Sequence, residues 1–168
     1  MNTSDIIFSI LKDYTDTVFF VPGGGAAFLV DALGRSGLKH ISALHEQGAG
    51  FMACGYAMAR NGLGVCLVTS GPGATNAITP CAAAWMDSVP VLFISGNSNL
   101  HPDERLRVRG VQAVDIVRIV EPITKNRGRV LMTQLIRTVV NLHIQECLSD
   151  RRGPCWLDVP LNVQSEEI

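Results

Sequence analysis

Short apolar runs alternate with longer amphipathic stretches along the whole chain, and a glycine- or proline-bearing turn follows nearly every run. Few architectures accept that rhythm. The runs at 18–21, 41–44, 65–69, 89–95 and 155–159 are mostly apolar without strict alternation, which suits strands buried on both faces. A briefer strand is expected at 123–125. Between the strands, apolar spacing predicts helices over 26–35, 46–60, 74–86 and 133–148, a short one at 115–120, and a first one from a Thr3 or Ser4 cap to about Tyr14. Gly37 and the Asn61-Gly62 pair stop two of these helices, and Thr133 caps the last. Periodicity disappears over 97–110, which reads as a long polar loop. Strands and helices in alternation, joined by right-handed crossovers, imply an α/β fold: a doubly wound, mostly parallel sheet with helices on both faces. The expected organisation is one domain over residues 1–168.

Composition narrows the classes of partner. With 168 residues, 47% of them hydrophobic and only 17% charged, the chain carries more apolar surface than one core of this size needs. A buried partner interface is expected. A net charge of -1, with dispersed lysines and arginines, leaves no footprint for a nucleic-acid backbone. The densest basic run, Arg105-Leu106-Arg107-Val108-Arg109, reads as a solvated loop. Five cysteines (Cys54, Cys66, Cys81, Cys147 and Cys155) are odd in number and lie at no metal-ligand spacing. They read as small buried hydrophobes in a reducing compartment. Neither a secretory leader nor a membrane-spanning run is present in these residues, so no membrane association and a cytoplasmic location are expected.

Chemistry is sought where parallel sheets hold their ligands, at the carboxyl ends of the strands. Three segments fall there: Pro22-Gly23-Gly24-Gly25, His45-Glu46-Gln47-Gly48, and Ser70 through Asn76. The glycines of the first serve either as a tight turn or as a place where backbone approaches a ligand closely. They lack the spacing of a dinucleotide fingerprint and the lysine of a P-loop, so a phosphate cradle is the weaker ligand reading. Glu46 opens a helix beside Ala49, Gly50, Phe51 and Met52. It is either a first-turn carboxylate that complements the helix dipole, or a group whose apolar surroundings raise its pKa and suit it to sharing a proton with a heterocyclic nitrogen. Ser70-Gly71-Pro72-Gly73-Ala74-Thr75-Asn76 is either a plain turn or a set of free amides, with Asn76, for a polar ring or an anion. No catalytic triad is visible. The four histidines (His40, His45, His101 and His143) show no zinc spacing, and His45 reads as structural.

These pieces also occur in a recognisable order. Val21-Pro22-Gly23-Gly24, His45-Glu46-Gln47-Gly48-Ala49, Gly55-Tyr56-Ala57, Thr69-Ser70-Gly71-Pro72-Gly73-Ala74-Thr75-Asn76 and Asp87-Ser88-Val89-Pro90-Val91 form a series that resembles the N-terminal pyrimidine-binding domain of thiamine-diphosphate enzymes. The nearest likeness is to acetolactate synthase large subunits. Ile123-Thr124-Lys125, Arg152-Gly153-Pro154 and Asp158-Val159-Pro160 extend it over nearly the whole chain.

The resemblance implies thiamine diphosphate as cofactor and a 2-keto acid as substrate. It gives Glu46 the hydrogen bond to the aminopyrimidine that favours the tautomer able to take the thiazolium C2 proton. Pro22, Gly23 and Gly24 would lie along the cofactor, with Thr69, Gly71, Pro72, Gly73 and Asn76 around the pyrimidine. Gln112 matches the family's active-site glutamine. The paired histidines of simple pyruvate decarboxylases have no counterpart near Val111 and Gln112, which favours the synthase-like branch. The Gly-Asp-Gly motif with an Asn-rich end, which holds magnesium and diphosphate in the family, is missing, and so is the central domain. Mg2+ is therefore expected from a partner subunit or domain, in a homodimer or hetero-oligomer, and FAD finds no support in these residues. Three alternatives stay open: the alpha subunit of a split 2-keto-acid decarboxylase of the sulfopyruvate type, a nucleotide- or phosphate-binding α/β module, and a silent relative with an assembly role.

Overall fold

A computed structural model describes residues 1–100, 106, 107 and 110–168. Of the basic run at 105–109, Arg105, Val108 and Arg109 lie outside the described residues, as does His101. Strands β1 (Thr17–Phe20), β2 (Lys39–Ser42), β3 (Gly64–Val68), β4 (Val91–Asn97), β5 (Asn126–Arg129) and β6 (Cys155–Pro160) form one six-stranded sheet in the order β2-β1-β3-β4-β6-β5. Every pairing is parallel. The expected doubly wound α/β architecture is therefore the observed one.

Side chains alternate between the two faces, as strand geometry requires. Val65 and Leu67 of β3, Leu92 and Ile94 of β4, and Cys155 and Leu157 of β6 point into one core. That core is closed by α1 (Thr3–Leu11), α2 (Ala27–Ser36) and α7 (Ile136–Leu148). Cys66, Val68, Val91, Phe93 and Trp156 point into the other, under α3 (Glu46–Arg60) and α5 (Ile78–Met86). Phe93 and Trp156 stack there with centroids 5.2 Å apart. Helix α3 turns Ala49, Ala53 and Ala57 to the sheet, a four-residue spacing of small side chains that lets it lie close. It lies so close that a Cβ on Gly64 would stand 2.3 Å from the Ala53 carbonyl oxygen. This contact fixes the height of α3, and with it the height of Glu46.

Several expected boundaries move, each for a local reason. Asn2, rather than Thr3 or Ser4, caps α1. Its side chain accepts from the Asp5 amide at 2.9 Å, and the Asp5 carboxylate accepts from the Asn2 amide. The hydroxyls of Thr3 and Ser4 instead donate to the carbonyls of Glu166 and Gln164. Helix α1 ends at Leu11, short of Tyr14. The helix expected over 74–86 is two: α4 (Pro72–Asn76) and α5, parted at Ala77. Pro80 explains the break, because it has no N–H for the Asn76 carbonyl and its ring collides with that carbonyl. The strand expected at 123–125 lies instead at Asn126–Arg129, after a 3-10 turn over Glu121–Ile123. Thr133 does not cap α7: it opens a 3-10 turn, and its hydroxyl donates to the Glu166 carboxylate. Strand β2 starts two residues earlier than expected, and all four of its residues are exposed at the sheet's edge. The stops at Gly37 and Asn61 stand, both in the left-handed region. The short helices α6 (Ile116–Ile119) and α8 (Leu161–Gln164) complete the chain. Among the described residues no helix is long and apolar enough to cross a membrane.

Candidate functional site

The strand order reverses at β1, since β2 lies on one side of it and every later strand on the other. A crevice opens at such a switch point, outside the carboxyl ends of the flanking strands. Those ends are Val21 to Gly25 after β1 and Thr69 to Gly73 after β3, two of the three segments singled out in the sequence. The third, at Glu46, is brought beside them by α3.

Thr69 is the centre of this convergence. A Cβ on Gly23 would stand 2.5 Å from the Thr69 Cβ, and one on Gly73 would stand 2.6 Å from its Cγ2. The hydroxyl of Thr69, wedged between the two glycines, is buried with no partner among the described residues. Gly73 also lies against Glu46, whose Oε1 would be 3.3 Å from a Cβ there. Glu46 is half-buried, so the apolar enclosure expected around it is open on one side in this chain. Its other oxygen, Oε2, accepts from the Asn76 side-chain amide at 2.9 Å. His45 caps α3, its Nδ1 accepting from the Gln47 amide at 3.1 Å. That bond holds the first turn, which presents Glu46.

Gly71 has φ +56°, and a Cβ on it would meet the Gln112 carbonyl oxygen at 2.4 Å. Both constraints demand glycine. Gln112 is itself left-handed, at φ +55°, and exposed. The structure therefore brings Gln112 to the Gly71 turn. Pro22 and Gly24 are exposed at the rim, and Pro72 opens α4. Next to this cluster lies a cleft of about 460 Å³, lined by residues that include Gly24, Gly25, Ser70, Asn97 and Gln112.

Sequence reasoning missed the groups that hold these walls. Asp158, within β6, is fully buried and accepts from Ser95 Oγ at 2.8 Å, Asn97 Nδ2 at 2.8 Å and Arg129 Nε at 2.7 Å. Burial pushes its carboxyl above the ordinary range against the pull of those three donors. Asn97 also donates to the Val114 carbonyl and Arg129 reaches Asp115, so the network anchors the segment just after Gln112. The available signal was a polar residue inside each of two runs that read as doubly buried strands, Ser95 and Asp158. Gln164, which donates to the Gly25 carbonyl, had no such signal.

The combination suits a flat heteroaromatic ring. The Gly23 and Gly73 turns close on Thr69 from two sides, Gly24 leaves open space beside them, and a carboxylate with one oxygen engaged lies against Gly73. Residues 1–119 match the family described as "Thiamine pyrophosphate enzyme, N-terminal TPP binding domain", and the chain belongs to that family. Within it, the chain is similar to the acetolactate synthase large subunit of Corynebacterium glutamicum (strain ATCC 13032), 37% identical over 97% of the chain and 26% of that protein. It is also 39% identical to acetolactate synthase isozyme 1 large subunit of Escherichia coli (strain K12), over 86% of the chain and 25% of that protein. Similarity to the glyoxylate carboligase of Escherichia coli O157:H7 is 39%, over 94% of the chain and 26% of that protein. The chain thus spans about a quarter of the length of these relatives.

Proposed function

We propose that this chain supplies the pyrimidine-binding half of a thiamine-diphosphate site in a 2-keto-acid synthase or decarboxylase of the acetolactate synthase type, with Glu46 as its acid–base group. The observation that carries the reading is the placement of Glu46 between Gly73 and Asn76 at the switch point of a family-typical sheet. When bound, thiamine diphosphate supplies the electron sink that allows a 2-keto acid to lose carbon dioxide. The chain's own residues bind, orient and exchange a proton. Asn76 holds Oε2, which leaves Oε1 as the atom that shares a proton with a ring nitrogen. Gly23, Gly24 and Gly73, with Pro22, Gly71 and Pro72, present backbone to the ring, and Thr69 packs behind them and sets the spacing of the Gly23 and Gly73 turns. Gln112, on the rim beside Gly71, faces the substrate side.

Diphosphate and Mg2+ fall to another subunit or domain in this reading, because the sequence has no Gly-Asp-Gly motif with an Asn-rich end. Exposed Phe51, Met58, Trp85 and Met86, on α3 and α5, support a homodimeric or hetero-oligomeric assembly. Five free, buried thiols fit a reducing compartment, and the cytoplasm is the proposed location. The test is hydrogen exchange at C2 of thiamine diphosphate in the assembled enzyme, wild type against Glu46→Gln. A loss of about two to four orders of magnitude is expected, since glutamine keeps the shape but cannot exchange a proton. Exchange that stays near wild type sinks the assignment.

A further inference from the structure

The wall of the crevice formed by Gly23, Gly24 and Gly25 has no side chains with which to hold itself in place. Its shape is set from outside. A Cβ on Gly25 would collide with Ser70 Oγ at 2.5 Å, so one side rests on the segment after β3. The Gly25 carbonyl oxygen lies where a Cβ on Gly96 would be, at 1.9 Å, so a second side rests on bare backbone of β4. On the third side the Gly25 carbonyl accepts from Gln164 Nε2 at 2.7 Å, across 139 residues of sequence. That same amide donates to the Val159 carbonyl at 2.8 Å, tying the turn to the end of β6.

Gln164 is fully buried, and its Oε1 has no partner among the described residues. Burying an unpaired carbonyl is costly, and a hydrophobic residue of similar size would avoid that cost. The side chain is therefore placed for its two donated bonds alone. Of the contacts on Gly25, the bond from Gln164 is the directional one. Steric contacts stop the turn from moving inward, and among the described residues the Gln164 bond is the side-chain hydrogen bond to Gly25 that opposes movement outward, toward the cleft.

We propose that Gln164 is a positioning residue, which acts through the Gly25 carbonyl to hold the Gly23–Gly25 turn in the shape that cofactor binding needs. The proposal rests on the thiamine-diphosphate reading of this crevice, but its first measurement does not. The Ala26 amide donates to the Gly23 carbonyl at 3.0 Å and reports whether the turn is closed.

The experiment compares Gln164→Met, which keeps length and burial but loses both donated bonds, with Ser4→Ala. Ser4 Oγ donates to the Gln164 backbone carbonyl at 2.9 Å, so its loss strains the same junction without touching Gly25. Amide hydrogen exchange of the chain and thiamine-diphosphate affinity of its assembled form are measured for both. The expected result for Gln164→Met is exchange at Ala26 faster by about tenfold and affinity weaker by about tenfold, as the loss of one buried hydrogen bond allows. Ser4→Ala should leave affinity within about twofold of wild type. Gln164→Asn, which keeps an amide on a side chain too short to reach Gly25, replaces the methionine variant if that one does not fold.

Wild-type exchange at Ala26 in the Gln164 variant overturns the proposal. So does equal weakening of affinity by Ser4→Ala, which would make the effect one of general stability. If the wild-type assembly binds no thiamine diphosphate, the functional reading fails, and exchange at Ala26 alone decides whether Gln164 positions the turn.

Discussion

Asn76 donates its side-chain amide to Glu46 Oε2 at 2.9 Å, across 30 residues of sequence and between two helices that meet at the switch point of the sheet. Asn76 can make this contact because α4 ends there, and α4 ends there because of Pro80. A proline buried in the second layer thus sets the aim of a carboxylate in the crevice. Asn76→Ala should leave Glu46 in place but free to turn. C2 exchange in the assembled enzyme is expected to fall by about tenfold, well short of the loss in Glu46→Gln, as suits an orienting bond rather than the proton-carrying group. A loss as large as that of Glu46→Gln would mean that Asn76 meets the cofactor itself.

Two glycine-to-alanine substitutions should have opposite signs. Gly96 has the Gly25 carbonyl at 1.9 Å from where its Cβ would go, and neither backbone can yield. Gly96→Ala should cost roughly 3 kcal/mol or more, measured by urea denaturation. Gly55 lies on the exposed side of α3 with nothing within 4 Å of its missing Cβ. Gly55→Ala should stabilise the chain by about 0.5–1 kcal/mol.

The five thiols should be silent in the folded chain. All are free and buried, and burial pushes the Cys54 thiol up to about 11 and those of Cys66, Cys81 and Cys147 higher still. Reaction with a thiol-specific chromogen at pH 7.5 should therefore be slow in buffer and release all five equivalents in guanidinium. One fast equivalent in the native protein contradicts this.

His143 should make the chain acid-sensitive. Its Nδ1 lies 2.8 Å from the Val139 carbonyl, so that nitrogen carries the proton, and Nε2 is buried. Burial lowers its pKa below the ordinary 6.5, so between the two values the unfolded chain binds more protons than the folded one. Stability is then present above 6.5 and is lost as pH falls through that window, at up to about 1.4 kcal/mol per pH unit. Urea midpoints at pH 7.5 and 5.5 should diverge in wild type and converge in His143→Phe.

The chain alone should associate. Phe51, Met58, Trp85 and Met86 are between 41% and 68% exposed, on two adjoining helices. Light scattering at micromolar concentration is expected to give a mass above 18.1 kDa, and Met58→Lys should lower it toward that value. A clean monomer in both proteins counts against the interface.

Fold class and the three site segments were legible because both depend on short-range pattern. Doubly buried strands read as unbroken apolar runs, and glycines mark the crevice where backbone meets backbone. What escaped was set by contacts between distant residues. Strand β5, Asn-Arg-Gly-Arg, has no apolar signature, and only its pairing with β6 makes it a strand. Thr3, Ser4 and Thr133 look like helix caps, yet their hydroxyls are claimed by residues 164–166 at the other end of the chain. Asp158 is a short motif element in the sequence and the centre of a buried network in space. Gln164 is one polar residue in a polar tail until the Gly25 carbonyl is placed above it.

The order β4-β6-β5 also has a temporal meaning. Strand β5 leaves the ribosome before β6, yet β6 lies between it and the rest of the sheet, so β5 has nothing to pair with until Cys155–Pro160 arrive. The nascent chain can close β2, β1, β3 and β4 early, with the glycine turns and Glu46 already at their edge. It must then hold the unpaired flank of β4 open, Val91–Asn97, through the synthesis of some sixty more residues. That flank is apolar along most of its length, which makes it the surface that a chaperone would shield and a neighbouring nascent chain would capture.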